Sequence, residues 1–302
     1  MNKYLKQMRV TTYPKNLIIM LPIFFGGGMF ELDLLTTVIL GVISFCFLSS
    51  AVYVINDLYD VEKDRNHNVK RHRPLASGDI AVKHAKTMVV ILLASSVITN
   101  LLAVRNDYIN LSWALLAIYL AINLGYSRFG WKNMPIVDLT IIASGFLLRL
   151  IYGSVITNIG LSSWMVLVVI SLSFYFGLLK RKMEKQSENK DSREVLRFYD
   201  VRFLDKNLYM CLALSIVFYA LWAVDPATTS RLGSEYIVWT VPLVIVLCMR
   251  YNLIVESTSD SNVEPMDAVA RDRPLQVFGA IYIITLFLIL YGHTLFGDIL
   301  NL

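Results

Sequence analysis

Long apolar runs broken by short polar stretches organise this chain. Nine continuous runs lie at roughly 16–35, 36–56, 84–104, 108–125, 134–153, 162–180, 207–224, 235–256 and 274–296. Each is about as long as a helix needs to be to cross a bilayer, some 17–25 residues. The runs are continuous rather than alternating, and in lipid every span must satisfy its own backbone, so helices rather than strands are expected. The pattern predicts an all-α, polytopic membrane helix bundle of about nine transmembrane helices, a single domain over residues 1–302. Two polar loops stand out, at 57–83 and 181–206, with a shorter polar stretch at 264–275. The two long loops each follow a span directly and lie four spans apart, which hints at an internal duplication.

Charge adds an orientation to this picture. With nine spans, the N-terminus and the loops after spans 2, 4, 6 and 8 share one side. That side holds 25 of the 28 Lys and Arg residues, while the other holds only Arg105 and Arg231. By the positive-inside rule the N-terminus and both long loops are cytoplasmic. The basic residues sit in short membrane-bounded loops rather than in a basic domain, so no nucleic-acid partner is expected. The charged share of 17% is low for a soluble domain. Lys3, Lys6, Arg9 and Lys15 before the first run resemble the start of a signal peptide. No small-residue cleavage site follows, and Pro22 with Gly26-Gly27-Gly28 fits a retained, closely packed helix. Cys46, Cys211 and Cys248 all fall within spans and read as buried thiols.

The strongest chemical signal is NDLYDVEKD at the cytoplasmic end of span 2. Asp57, Asp60 and Asp64 are spaced i, i+3, i+7 and share one face of a helix, with Asn56 beside them. Three carboxylates on one stripe, with no charge between them on that face, would repel one another, and a hard divalent cation would relieve that. Mg²⁺ favours one or two carboxylates completed by water and phosphate oxygens. Lys70, Arg71 and Arg73 follow in VKRHRPLASG, a composition suited to a diphosphate beside a metal. Pro74 and Gly78 should turn this loop back over the acidic stripe. The second loop opens with LLKRKMEK, in which Lys180 and Arg181 stand i, i+4 and i, i+3 from Glu184, and it carries Tyr199 in VLRFYD. Span 5 holds Asp138 near its start and Arg149 deeper, and a mid-membrane Arg should face a polar cavity or partner. The four histidines form no zinc pattern, and there is no nucleophile elbow, Walker loop or dinucleotide fingerprint.

NDLYDVEKD followed by KRHRPLASG resembles the first aspartate-rich motif of the UbiA superfamily of intramembrane prenyltransferases. YPKNLIIMLPIFF, NLGYSRFGWKNMPIVDL and SGFLLRLIYG extend the resemblance over nearly the whole chain. It implies a UbiA-like nine-helix bundle around a central cavity open to lipid, with Mg²⁺ and a diphosphate at the cytoplasmic end. Most of that superfamily has a second aspartate-rich motif after span 6, where this chain reads KRKMEKQSENKD. That departure, with LLKRKME, VLRFYD and ARDRPL, resembles the polyprenyl-phosphate phosphoribosyltransferase branch. The branch implies 5-phosphoribosyl 1-diphosphate as donor, a polyprenyl phosphate as acceptor, and a product used for cell-envelope glycans. Asn68 departs from that branch, which usually has Pro there.

On this reading Asp57 and Asp60 hold Mg²⁺, with Asn56 and Asp64 in its shell or on the ribose hydroxyls. Phosphates would meet Lys15, Lys70, Arg71, Arg73, Lys180 and Arg181, with Tyr126, Lys132 and Tyr199 as further candidates. Asp138, Arg149 and Glu184 complete the expected substrate-binding set. The resemblance implies a bacterial or archaeal cell membrane and an active site facing the cytoplasm, and leaves a homo-oligomer open. Two other functions fit the pattern. One is an aromatic prenyltransferase of the same superfamily, in which the lipid carries the diphosphate; the basic second motif argues against it. The other is a transporter using Arg149, Asp138 and the acidic stripe; the acidic residues cluster at one membrane face, which favours surface chemistry instead.

Overall fold

The structure, a computed structural model, describes residues 2–67, 69–104, 108–186, 194–257 and 272–300, with 293–300 as backbone only. Asn68 and residues 264–271 of the third polar stretch lie outside the described residues. All regular structure among the described residues is helical. The elements are α1 (Lys3–Met8), α2 (Leu21–Gly26), α3 (Leu32–Tyr59), α4 (Val61–Arg65), α5 (Val82–Ala103) and α6 (Ile109–Arg128). They continue with α7 (Val137–Thr157), α8 (Ser163–Gln186), α9 (Val201–Val224), α10 (Pro226–Leu232), α11 (Val241–Ser257) and α12 (Arg273–Leu300). Short 3₁₀ turns join several of them. Eight helical stretches among the described residues are long and apolar enough to cross a membrane, so this is a multi-pass membrane helix bundle.

The first expected span takes a different form. Val10–Met20 is an 11-residue 3₁₀ helix that runs into the six-residue α2. A 3₁₀ helix rises about 2 Å per residue against 1.5 Å for an α-helix, so the pair extends about 31 Å, close to the thickness of the hydrocarbon core. Pro14 lies inside the 3₁₀ stretch. The break before the next span falls at 27–31, earlier than the apolar pattern suggests, because the glycine run ends α2 and the extended backbone of Glu31 leads into α3. Helix α3 then runs 28 residues and carries Asn56 and Asp57 inside its last turn. Those two residues therefore sit on a helix, as the stripe requires, and the helix runs three residues past the expected end of the span at 56.

The chain forms two compact units, Met1–Phe24 with Gly28–Gly160, and Phe25–Gly27 with Leu161–Leu302. In the first, α3 packs along α5 and meets α6, α7 and the 3₁₀ stretch. Gly153 of α7 lies against the Ile19 carbonyl so closely that a side chain there would strike the backbone, which is why a small residue is needed at this crossing. A second apolar cluster gathers Ala51, Val54, Leu75, Ile80, Ala85 and Leu92. Leu75 and Ile80 belong to the polar loop after α3, and their burial ties that loop down.

In the second unit α8 packs along α9, with α11 and α12 alongside. Tyr219, Trp222, Ala223 and Ile237 form its apolar cluster. Lys182 laces α8 to α9 and α11 through Asp205 at 2.7 Å and Glu256 at 3.6 Å. Arg250 Nη2 stands 2.6 Å from Asp272, and this guanidinium holds the Asp272 carboxyl below the usual carboxylate range.

Candidate active site

The acidic motif ends α3 and continues through α4. Asp60 takes a non-helical conformation at the end of α3 and so breaks the expected continuous helix. The stripe survives as two carboxylates plus one. Asp57 Oδ1 and Asp64 Oδ2 converge on a single positive centre, Arg73 Nη1, at 3.0 and 2.6 Å. Asp60 turns instead to Lys132, whose Nζ lies 3.0 and 3.2 Å from its two oxygens. Asn56 Oδ1 accepts from the Ser127 hydroxyl at 2.8 Å.

The repulsion expected among these carboxylates is therefore replaced by pairing with cations. Arg73 returns because the loop folds back: the Ser77 N–H donates to the Arg73 carbonyl at 2.8 Å, and the Ile80 N–H to the Pro74 carbonyl at 3.0 Å. Gly78 takes a positive φ of 86° in this turn. Arg73 of the expected basic run reaches Asp57 and Asp64 with direct ion pairs. Arg71 is exposed, and Lys70 is half-buried in the 3₁₀ turn Lys70–His72.

Two partners of Asp57 come from the N-terminal segment and were not foreseen as site residues. Gln7 Nε2 donates to Asp57 Oδ2 at 2.8 Å, and Arg9 Nη2 stands 2.6 Å from Asp57 Oδ1. Arg9 also lies over the Tyr53 ring at 4.7 Å. Its backbone is left-handed (φ 53°, ψ 47°), uncommon for a residue with a side chain, where the chain turns from α1 into the 3₁₀ stretch. Lys3 and Lys6 clip α1 to the loop through the Asp79 and His72 carbonyls. The available sequence signal was a lone Arg on the motif's side of the membrane, indistinguishable from ordinary positive-inside charge.

Lys132 is delivered by the loop after α6. The Trp131 ring lies on Gly125, where a β-carbon would approach ring carbons to 2.5–3.0 Å. At the far end of this loop Ile136 holds φ 67°, strained for a β-branched residue. Tyr126 is half-buried near the end of α6, and Asp138 is fully buried in the first turn of α7, where the helix dipole favours a carboxylate.

Arg149 sits deeper, 6% exposed. Its Nε donates to Asn16 Oδ1 at 2.7 Å, Nη1 to the Gly145 carbonyl at 2.7 Å, and Nη2 to the Tyr119 hydroxyl at 3.0 Å. The Phe45 and Tyr119 rings lie 4.8 and 4.9 Å from its guanidinium carbon. The expected polar partners are present, and they are neutral amide, carbonyl and hydroxyl oxygens. The network ties the 3₁₀ stretch to α6 and α7. Lys15, half-buried, is on the same 3₁₀ stretch.

In the second unit, Arg181 is fully buried and its Nη1 lies 2.7 Å from Glu184 Oε2, the pair expected at i, i+3. Lys180 is half-buried one residue before it, on α8 rather than in a loop. Tyr199 is buried, its ring stacked on Phe203 at 5.9 Å.

The chemistry of the first unit suits a metal-bound anion. Asp57 and Asp64 offer hard oxygens already gathered about one positive centre. That number of carboxylates fits a Mg²⁺ that takes its other ligands from phosphate and water. Among the described residues no three carboxylate, His or Cys groups converge into a protein-only cage. Arg73, Arg9 and Lys132 stand where guanidinium and ammonium groups can meet phosphate oxygens.

Residues 17–266 match the UbiA prenyltransferase family. A decaprenyl-phosphate phosphoribosyltransferase of Corynebacterium glutamicum is 32% identical over 298 residues, covering 97% of this chain and 88% of that protein. Its counterpart in Mycolicibacterium smegmatis is 30% identical, covering 90% of this chain and 87% of that protein. Among solved structures, a UbiA homologue from Archaeoglobus fulgidus bound to GPP and Mg²⁺ shares the fold. Its TM-score is 0.69 at 22% identity, over 96% of this chain and 99% of that one. The chain belongs to the UbiA prenyltransferase family and is a membrane transferase.

Proposed function

We propose that this chain transfers 5-phosphoribose from 5-phosphoribosyl 1-diphosphate to a polyprenyl phosphate. A lipid phosphate oxygen bonds to C1 of the ribose, the bond from C1 to the diphosphate breaks, and diphosphate leaves. The observation that carries the reading is the convergence of Asp57 and Asp64 on Arg73, a carboxylate pair and a guanidinium arranged for a metal-bound diphosphate. The naming of relatives at 30–32% identity as decaprenyl-phosphate phosphoribosyltransferases supports the choice of donor and acceptor. The basic end of α8 supports it too, because a prenyl diphosphate held there through a metal would need carboxylates.

Mg²⁺ bound with Asp57 and Asp64, with Asp60 and Asn56 close by in the motif, would neutralise charge on the leaving diphosphate. Arg9, Arg73 and Lys132 exchange their carboxylates for phosphate oxygens when the donor arrives, and hold the leaving group in place. The lipid phosphate is already ionised at neutral pH, so no strong general base is required. The chain's contribution is positioning and charge stabilisation. Lys180 and Arg181 are assigned to a phosphate of the donor or the acceptor. The charge bias supports a cytoplasmic N-terminus and a cytoplasm-facing site, in a bacterial or archaeal cell membrane.

The test is to incubate purified protein and Mg²⁺ with radiolabelled 5-phosphoribosyl 1-diphosphate and mixed polyprenyl phosphates. Label passing into the organic phase is the expected result. Aromatic prenylation from a prenyl diphosphate, with no reaction of the sugar, would move the chain to the aromatic prenyltransferase reading.

A further inference from the structure

Gln7 has no role in the reaction as described. It is 1% exposed, and its Nε2 donates to Asp57 Oδ2 at 2.8 Å. Chemistry fixes the orientation of this amide: an ionised carboxylate only accepts, so the NH₂ end must face Asp57. The carbonyl end, Oε1, is buried and meets no donor among the described residues. An unsatisfied buried acceptor costs free energy, and such atoms in native structures call for a specific explanation.

We infer that Gln7 Oε1 accepts a hydrogen bond from a ribose hydroxyl of the sugar donor, making Gln7 a specificity-determining residue for a pentosyl diphosphate. This rests on the phosphoribosyl-transfer reading. The occupant must be a donor, because Oε1 only accepts. It must arrive beside Asp57, which belongs to the diphosphate end of the site. A pentosyl 1-diphosphate carries hydroxyls on the two carbons that follow C1. A prenyl diphosphate carries no hydroxyl at the corresponding carbons and leaves Oε1 unsatisfied. A site built to bond an O–H discriminates strongly against an analogue that lacks it. The Arg9 and Arg73 side chains paired with Asp57 are 30% and 31% exposed, so an arriving diphosphate can draw them off the carboxylate that Gln7 also touches.

The test measures binding, not turnover. Affinities for 5-phosphoribosyl 1-diphosphate and for its 2-deoxy and 3-deoxy analogues are determined by calorimetry, with Mg²⁺, on the full chain in detergent. Wild type is compared with Gln7→Met, which keeps the length and buried character of the side chain. Wild type should bind one deoxy analogue about ten- to a hundredfold more weakly than the parent sugar. Gln7→Met should bind the two within about threefold, because the same contact is missing in both. Gln7→Leu replaces it if the methionine variant does not fold. Wild type indifferent to both deoxy sugars overturns the inference, as does a variant that keeps the wild-type discrimination. A wild type that binds no parent sugar refutes the phosphoribosyl reading itself, and the inference falls with it.

Discussion

Replacing Asp57 by Asn tests the charge pairing at the acidic motif, because two views of the motif predict opposite signs. If the carboxylates repelled one another, removing one charge would stabilise the metal-free protein. In the structure Asp57 is 4% exposed and faces Arg9 at 2.6 Å, Arg73 at 3.0 Å and Gln7 at 2.8 Å. The Asp57→Asn substitution would leave two guanidiniums beside a neutral amide. Breaking a fully buried pair costs about 3–5 kcal/mol, and an exposed one about 0–1. The Arg side chains are about a third exposed, so we expect a loss of about 2 kcal/mol, between those limits. The assay is the apparent melting temperature in detergent with EDTA, where no metal masks the effect. A cycle with Arg9→Met should give a coupling of about 0.5–2 kcal/mol, as expected for residues in contact. With Mg²⁺ and donor the same variant should lose turnover. An unchanged or higher melting temperature for Asp57→Asn in EDTA would refute the pairing.

Arg181→Ala removes a fully buried charge from Glu184, and kcat/KM for the sugar donor or for the lipid acceptor should fall about thirtyfold or more. A loss under about fivefold for both substrates would mark the pair as a helix salt bridge only. Gly125→Ala should push the Trp131 ring off α6 and carry Lys132 away from Asp60, raising the donor KM at least severalfold. Trp131→Ala in the same background should restore part of the loss, and a KM equal to wild type in Gly125→Ala would show that the ring does not set the position of Lys132. A cysteine replacing exposed Gln186 should react with an impermeant thiol reagent only from the cytoplasmic side, and one replacing exposed Ser230 only from outside. Labelling of both from one side would mean an even number of crossings between them.

Sequence by itself determined the bundle, the number of crossings to within the first one, and the identity of the acidic motif. Apolar runs of bilayer length leave the backbone few choices in lipid, and the i, i+3, i+7 spacing of Asp57, Asp60 and Asp64 is local. The i, i+3 pair of Arg181 and Glu184 was legible for the same reason. Tertiary structure alone decided what neutralises the motif. Gln7 and Arg9 reach Asp57 across about fifty residues of chain, and Lys132 reaches Asp60 across seventy-two. No periodicity links such positions, since their meeting depends on how α1, the 3₁₀ stretch and the loop after α6 pack around the end of α3. The 3₁₀ form of the first span was hidden too: hydropathy reports that a segment prefers lipid, while the pitch of its helix depends on what it packs against. Here that contact is Gly153 of α7 against the Ile19 backbone, with Arg149 holding Asn16 alongside.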